Sequence, residues 1–195
     1  MDSSAELIEQ APLQDRDLLQ RLSAYFDGVE QRLRQGQGWF IFNAREGRSA
    51  RIASFMQHRL AQQAPPVSYY MLPWRDFALS AYVGEVGLPE LAPNVAQDEK
   101  AKREFDLATR VTYGAWTRML STDLLILVGL KPSHPHEASL LDRTIETRHA
   151  SRLATILVTP TLPQQLEAEF QSVDPSLQHW ERIFQRMYES SLVAL

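Results

Sequence analysis

The residues best suited to chemistry stand in one turn. Gly47-Arg48-Ser49 follow an apolar run, Trp39-Phe-Ile-Phe42, and open a helical pattern that carries Ile52, Phe55, Met56 and Leu60 on one stripe. A turn between a strand and a helix can hold phosphate: backbone N–H groups face the anion, a lysine reaches its outer oxygens, and a hydroxyl ligates magnesium. The pattern G-x-x-x-x-G-K-[ST] falls on Phe42-Asn43-Ala-Arg-Glu-Gly47-Arg48-Ser49 with two key positions changed. Phenylalanine replaces the first glycine, and arginine replaces the lysine, whose compact ammonium differs in reach and shape from a planar guanidinium. On these residues alone, Asn43 to Gly47 also reads as a plain tight turn.

Other clusters carry weaker chemistry. Arg45, Arg48, Arg51 and Arg59 could converge on a phosphate, or form an exposed face of mixed charge. His134 and His136 flank Pro135 and precede Glu137, but two imidazoles in a proline-rich turn do not complete a metal site, and none is expected. His58, His149 and His179 lie apart without a recognisable partner, and no Ser/His/Asp order or paired acids suggest a hydrolase. Trp74, Phe77 and Tyr82, after the aromatic stretch Tyr69-Tyr-Met-Leu-Pro-Trp74, are candidates for a partner surface.

The elements that must position these residues alternate. Amphipathic spacing predicts one helix over 14–35, from Leu18 to Leu33, ended by Gln35-Gly-Gln-Gly38. Apolar runs predict strands at 39–42, 67–72, 123–130 and 154–159. Helices are expected from Ser49 to the prolines after Gln63, over 100–120, over 137–149, and around Trp180, Ile183, Phe184 and Met187. A short helix and an irregular loop are expected between Pro73 and Glu99. Strands alternating with helices define an α/β class, a three-layer sandwich with a mainly parallel sheet, because each parallel crossover needs a covering helix. The 195 residues fit one domain, 18–195, after a tail over 1–17, with no linker, repeat or low-complexity segment. Zero cysteines remove thiolate chemistry, and a net charge of -4 gives no overall attraction to nucleic acid. No apolar run approaches the roughly 20 residues that span a bilayer. The acidic, polar start lacks a secretory signal, so a cytoplasmic protein is expected.

Together the pieces resemble the AAA+ P-loop ATPase core of the bacterial DnaC/DnaI helicase loaders and the related IstB transposition helpers. The resemblance runs from about Leu18 to Met187. It is carried by Leu22-Ser-Ala-Tyr-Phe26 before Gly36-Gln-Gly-Trp-Phe40, the loop above, and Thr122-Asp-Leu-Leu-Ile-Leu-Val-Gly-Leu130 at the Walker B strand. Further on, it rests on Leu140 to Arg148, on Thr155 to Leu166 at the sensor-1 strand and turn, and on Trp180-Glu-Arg-Ile-Phe-Gln-Arg-Met187 at an arginine-bearing box. The order and spacing of these pieces are more specific than any one of them. The resemblance implies a P-loop NTPase (AAA+)-like fold, here without a long C-terminal lid or the N-terminal extension of those families.

It also places the family's functional positions, several of them altered. The two Walker B acids, which hold magnesium and orient the attacking water, correspond to Val128 and Gly129, and neither can do either. Asp123 lies at the start of that strand, about 16 Å away at the rise of an extended chain. The sensor-1 asparagine corresponds to Thr161, and the arginine that reaches a neighbouring subunit's nucleotide to Arg182 or Arg186. Phosphoryl transfer depends on positioning and charge neutralisation, so the resemblance implies a pseudo-ATPase with no catalytic residues. No cofactor is expected beyond weak binding of ATP or ADP at Asn43, Gly47, Arg48 and Ser49. The expected role is adaptor, loader or regulator in DNA replication or mobile-element DNA handling, acting through protein contacts. An AAA+ protein, a replicative helicase or a second copy is the expected partner, and neither DNA nor membrane is indicated by charge or hydropathy. The alternatives are an α/β scaffold subunit of an unrelated complex and an NTPase with a displaced metal site.

Overall fold

The computed structural model describes residues 3–45, 47–88 and 99–195. Among these, α1 (Ser3–Gln10), α2 (Leu13–Asp27) and α3 (Val29–Arg34) lead into β1 (Gly38–Ile41), followed by α4 (Gly47–Ala61) and β2 (Tyr69–Pro73). The chain continues through α5 (Trp74–Tyr82), a π-helical turn (Val83–Gly87), α6 (Glu99–Ser121), β3 (Leu124–Val128) and α7 (Pro135–Ala150). It ends with β4 (Ala154–Val158), α8 (Pro163–Val173), α9 (Gln178–Ser190) and β5 (Ser191–Ala194). The five strands form one sheet in the order β2-β3-β4-β1-β5, every pair parallel.

Strand residues point alternately to the two faces, and that alternation divides the core. Trp39, Ile41, Leu124, Ile126, Ile156 and Val158 pack under α2 and α4, against Leu22, Phe26, Ile52 and Met56. Phe40, Leu125, Leu127 and Leu157 face the opposite layer, where Phe77, Leu141, Phe170, Trp180 and Ile183 cover them. The expected three-layer α/β sandwich is therefore present, with near-continuous apolar strands because both faces are covered.

Several boundaries differ from the sequence reading. Residues 3–17, read as a tail, form α1 and the start of α2, and Ala11 and Asp15 are buried. The helix expected over 14–35 is broken at Gly28, which has left helical geometry and separates α2 from α3. Pro163, read as the end of a strand, instead begins α8, in the first turn where a missing N–H costs nothing. The edge strand β5 follows α9 without a turn signal and pairs with β1 from Gly38↔Ser191 to Ile41↔Ala194. The loop carrying Pro89 and Pro93 lies outside the described residues, as does Glu46.

The lead-in Gly36-Gln-Gly38 has a steric cause. Gly36 adopts φ +67°, and a Cβ there would lie 3.0 Å from the Arg152 backbone; at Gly38 it would lie 1.8 Å from the Thr155 carbonyl oxygen. Gly36 combines an unfavourable backbone region with a close approach. Gly36→Ala is expected to destabilise the protein by about 1–2 kcal/mol, measured by urea denaturation as a lower midpoint at unchanged slope.

Candidate functional site

The turn after β1 lies at the C-terminal edge of the sheet, where open α/β sheets bind ligands. It borders a cleft of about 470 Å³ lined by Gln14, Asn43, Arg45, Gly47, Arg48 and Arg51, with Leu195 at the rim. Three of the four candidate loop residues line it, and Ser49, in the first turn of α4, does not. Of the four clustered arginines, Arg45, Arg48 and Arg51 meet at the cleft. Arg59 is buried elsewhere, bonded to the Ser4 hydroxyl at 2.9 Å and paired with Asp27.

Four backbone N–H groups of the turn are bonded within the chain. The N–H groups of Phe42, Asn43 and Ala44 donate to the carbonyls of Ala194 at 2.8 Å, Thr161 at 3.0 Å and Thr159 at 2.9 Å, and that of Arg48 donates to Arg45 at 3.0 Å. Asn43 sits at φ 55°, a left-handed turn that asparagine tolerates, and this brings its carbonyl within 3.0 Å of an Arg48 guanidinium nitrogen. Phe42, at the position of the first motif glycine, is buried and stacks on Phe40 at 4.1 Å between ring centroids. A glycine there would lose this packing.

The guanidinium that takes the lysine's place is also occupied. Asp15, 1% exposed, lies between two arginines: its Oδ1 is 2.9 Å from Arg48 Nε, and its Oδ2 accepts from Arg51 Nη2 at 2.6 Å and Nε at 3.0 Å. The Arg48 contact is an ion pair without an aligned hydrogen bond, since neither the buried Oδ1 nor the buried Nε has a hydrogen-bond partner. Asp15 was hidden in the sequence. It falls in the stretch read as a tail, and nothing local couples it to residues 48 and 51.

At the neighbouring strand ends, Val128 closes β3 and Gly129 turns away at φ 86°, its N–H and that of Leu130 both donating to the Val158 carbonyl. Thr161, the sensor-1 counterpart, bonds through its hydroxyl to the buried Thr159 hydroxyl at 3.0 Å, and Thr159 donates in turn to the Leu130 carbonyl at 2.9 Å. One carboxyl that sequence reasoning missed reaches this cluster. Burial raises the pKa of Glu169 on α8, against the opposing influence of Lys131 and Thr161. It went unseen because α8 itself was not expected.

Arg182 and Arg186 do not project freely from α9. Both bond to Asp142 on α7, a residue 3% exposed: Arg182 Nε at 2.8 Å and Arg186 Nη1 at 3.0 Å. His179 Nδ1 adds a contact at 2.9 Å, and Arg186 also pairs with Glu146 at 3.1 Å. Burial pushes the Asp142 carboxyl up, but the hydrogen bonds and charges of Arg182 and His179 outweigh it and hold it below its ordinary range.

The proposed partner surface needs correction. Trp74 and Phe77 are core residues, 7% and 0% exposed and stacked at 4.7 Å, because the first turn of α5 faces the sheet; only Tyr82 stands out, at 47%. His134 and His136 stack at 5.2 Å, and among the described residues no group of three side chains is placed to hold a metal ion. The scattered histidines have neighbours after all: His58 meets Gln62 at 3.1 Å, His149 meets Glu189 at 3.6 Å, and His179 joins the Asp142 network. No described helix is long and apolar enough to cross a membrane.

The five-stranded parallel sheet and its covering helices form an α/β, P-loop NTPase-like fold. Among solved structures the chain is similar to the DnaC helicase loader, with a TM-score of 0.61 at 14% identity, over 95% of this chain and 92% of that one. Comparisons with protein-family models and with curated proteins gave no match.

Proposed function

We propose that this chain is a catalytically degenerate AAA+-like protein that works through protein contacts, as an adaptor, loader or regulator in DNA replication or mobile-element DNA handling. The observation that carries the first half is the state of the turn after β1. The N–H groups of residues 42–44 and of Arg48 are bonded to the chain's own carbonyls, and the Arg48 guanidinium is paired with Asp15. Val128 and Gly129 supply no magnesium ligand. Simultaneous absence of the lysine and the acids removes the charge neutralisation on which phosphoryl transfer depends. The replication role rests on the likeness to the DnaC helicase loader, whose partner class, a helicase, is the first to test. With Arg182 and Arg186 engaged inside the chain, neither is available as a finger toward a neighbour's nucleotide in this arrangement.

Calorimetric titration with ATP and magnesium, paired with a steady-state phosphate-release assay, tests the enzymatic half. No turnover above the protein-free background is expected, and micromolar binding with steady release would overturn the reading. Affinity capture from native lysate, read by mass spectrometry, tests the other half: replication or transposition proteins support it, whereas an unrelated complex favours a scaffold subunit.

A further inference from the structure

We propose that Asp15 is a resident anion that fills an arginine site for polyphosphate, so that the cleft after β1 accepts a diphosphate-like group only when Asp15 is withdrawn. This rests on the reading of the same cleft as a silent phosphate turn. Three guanidinium groups line a cleft of about 470 Å³, and the Asp15 carboxylate is the anion bound to two of them. The carboxylate fits incompletely. It gives Arg51 two good hydrogen bonds but meets Arg48 only by charge, leaving the buried Nε–H of Arg48 and its own Oδ1 without an aligned partner. A diphosphate, with more oxygens spread over tetrahedral centres, can satisfy both forks at once and reach Arg45 on the exposed rim, where planar guanidinium groups bind phosphate bidentately.

The position of Asp15 makes it removable. It lies in the first turn of α2, just after the Ala11-Pro12 elbow that joins α1 to α2, and Arg16 fastens that elbow through hydrogen bonds to the carbonyls of Ala11 and Glu9. The strap that holds Asp15 is thus the α1–α2 elbow with the first turn of α2, while the later turns of α2 pack on the sheet through Leu22 and Phe26. An attached carboxylate has a high effective concentration at its site, so free anions lose to it while the strap is seated. A partner that displaces the α1–α2 elbow would expose the three arginines together.

The test compares the full chain with Asp15→Asn, using inorganic pyrophosphate as the probe in calorimetry and thermal melts at constant ionic strength. Asp15→Asn leaves the arginines facing one another without an anion, so pyrophosphate should bind it at least about tenfold more tightly than the unaltered chain, one unit of ten being about 1.4 kcal/mol. Pyrophosphate should also raise its melting temperature while leaving that of the unaltered chain unchanged. Should Asp15→Asn not fold alone, folding should be restored by millimolar pyrophosphate. A folded variant that binds no better than the unaltered chain, or an unfolded one that pyrophosphate does not rescue, overturns the proposal. The outcomes separate the two readings: ATP turnover by the unaltered chain sinks the proposed function, whereas an inactive chain whose Asp15→Asn variant gains no affinity sinks this inference alone.

Discussion

Replacing Arg148 with alanine is expected to lower the unfolding free energy by about 3–5 kcal/mol, because it strands several buried neutral acceptors at about 1–3 kcal/mol each. Arg148 is fully buried at the end of α7. Its guanidinium donates to the carbonyls of Met119 at 2.7 Å, Thr122 at 3.0 Å and Ala154 at 2.6 Å, and to the Thr155 hydroxyl at 3.0 Å. Those acceptors come from the C-terminal end of α6, the turn into β3 and the start of β4. One planar fork therefore ties three elements, and its loss strands several buried oxygens, each costing about 1–3 kcal/mol when unsatisfied. Burial lowers the pKa of Arg148 to about 10, partly countered by Asp123, so the group is a cation at neutral pH and the carbonyls solvate it. Arg148→Lys keeps the charge but replaces the fork by one ammonium, and should retain only part of the lost stability. Guanidinium denaturation of the three proteins checks both expectations; equal stability of Arg148→Ala and the unaltered chain would remove the cage from the account.

The second large effect is expected at Asp142. Asp142→Ala should cost about 1–3 kcal/mol, because it leaves Arg182, and the four-fifths-buried Arg186, without the carboxylate that joins α7 to α9, while solvent and Glu146 still screen them. The pH dependence fixes the cause. The folded-state pKa of Asp142 is lowered, so its contribution is complete above the ordinary value of 3.8 and is lost as pH falls through the lower folded value. The stability gap between the unaltered chain and Asp142→Asn should therefore close on acidification below about pH 4, as the carboxyl protonates. Urea melts across that range measure it, and a gap that stays constant would mean that packing, not charge, holds α9 to α7.

Both sites illustrate what is readable in one dimension. Arg148 ended a recognisable stretch, Leu140 to Arg148, and Arg182 and Arg186 stood out as a pair four residues apart. The spacing predicted that the pair shares one side of a helix, which it does. Their partners were not predictable, because Asp142 lies 40 residues before Arg182 and the Arg148 cage is built mostly from backbone carbonyls. Backbone acceptors have no residue type to read.

The strands at 39–42, 67–72, 123–130 and 154–159 were legible for a different reason. Burial on both faces of the inner strands β1, β3 and β4 demands an unbroken apolar run, the edge strand β2 is half-buried, and the helices between them must carry an apolar stripe. Local demands of that kind are written residue by residue. The short β5 made no such demand: four residues at the sheet edge look like a frayed helix end until β1 pairs with them. The first helix, α1, was missed because its burial comes from α2 and α4, and Trp74 and Phe77 were misplaced because aromatic residues fit a core as well as an interface.

The same division runs through the candidate site. The sequence by itself determined that the turn after β1 carries Phe42 and Arg48 where the phosphate motif has glycine and lysine, and that Val128 and Gly129 carry no acid. These are statements of residue type, fixed by alignment to a short pattern. Only the tertiary structure decided that the N–H groups of residues 42–44 bond to the carbonyls of Thr159, Thr161 and Ala194, and that Asp15, more than 30 positions away in the chain, sits between Arg48 and Arg51. Hydrogen bonds and ion pairs of that range depend on which strands neighbour one another and which helix crosses above them, and packing alone sets that.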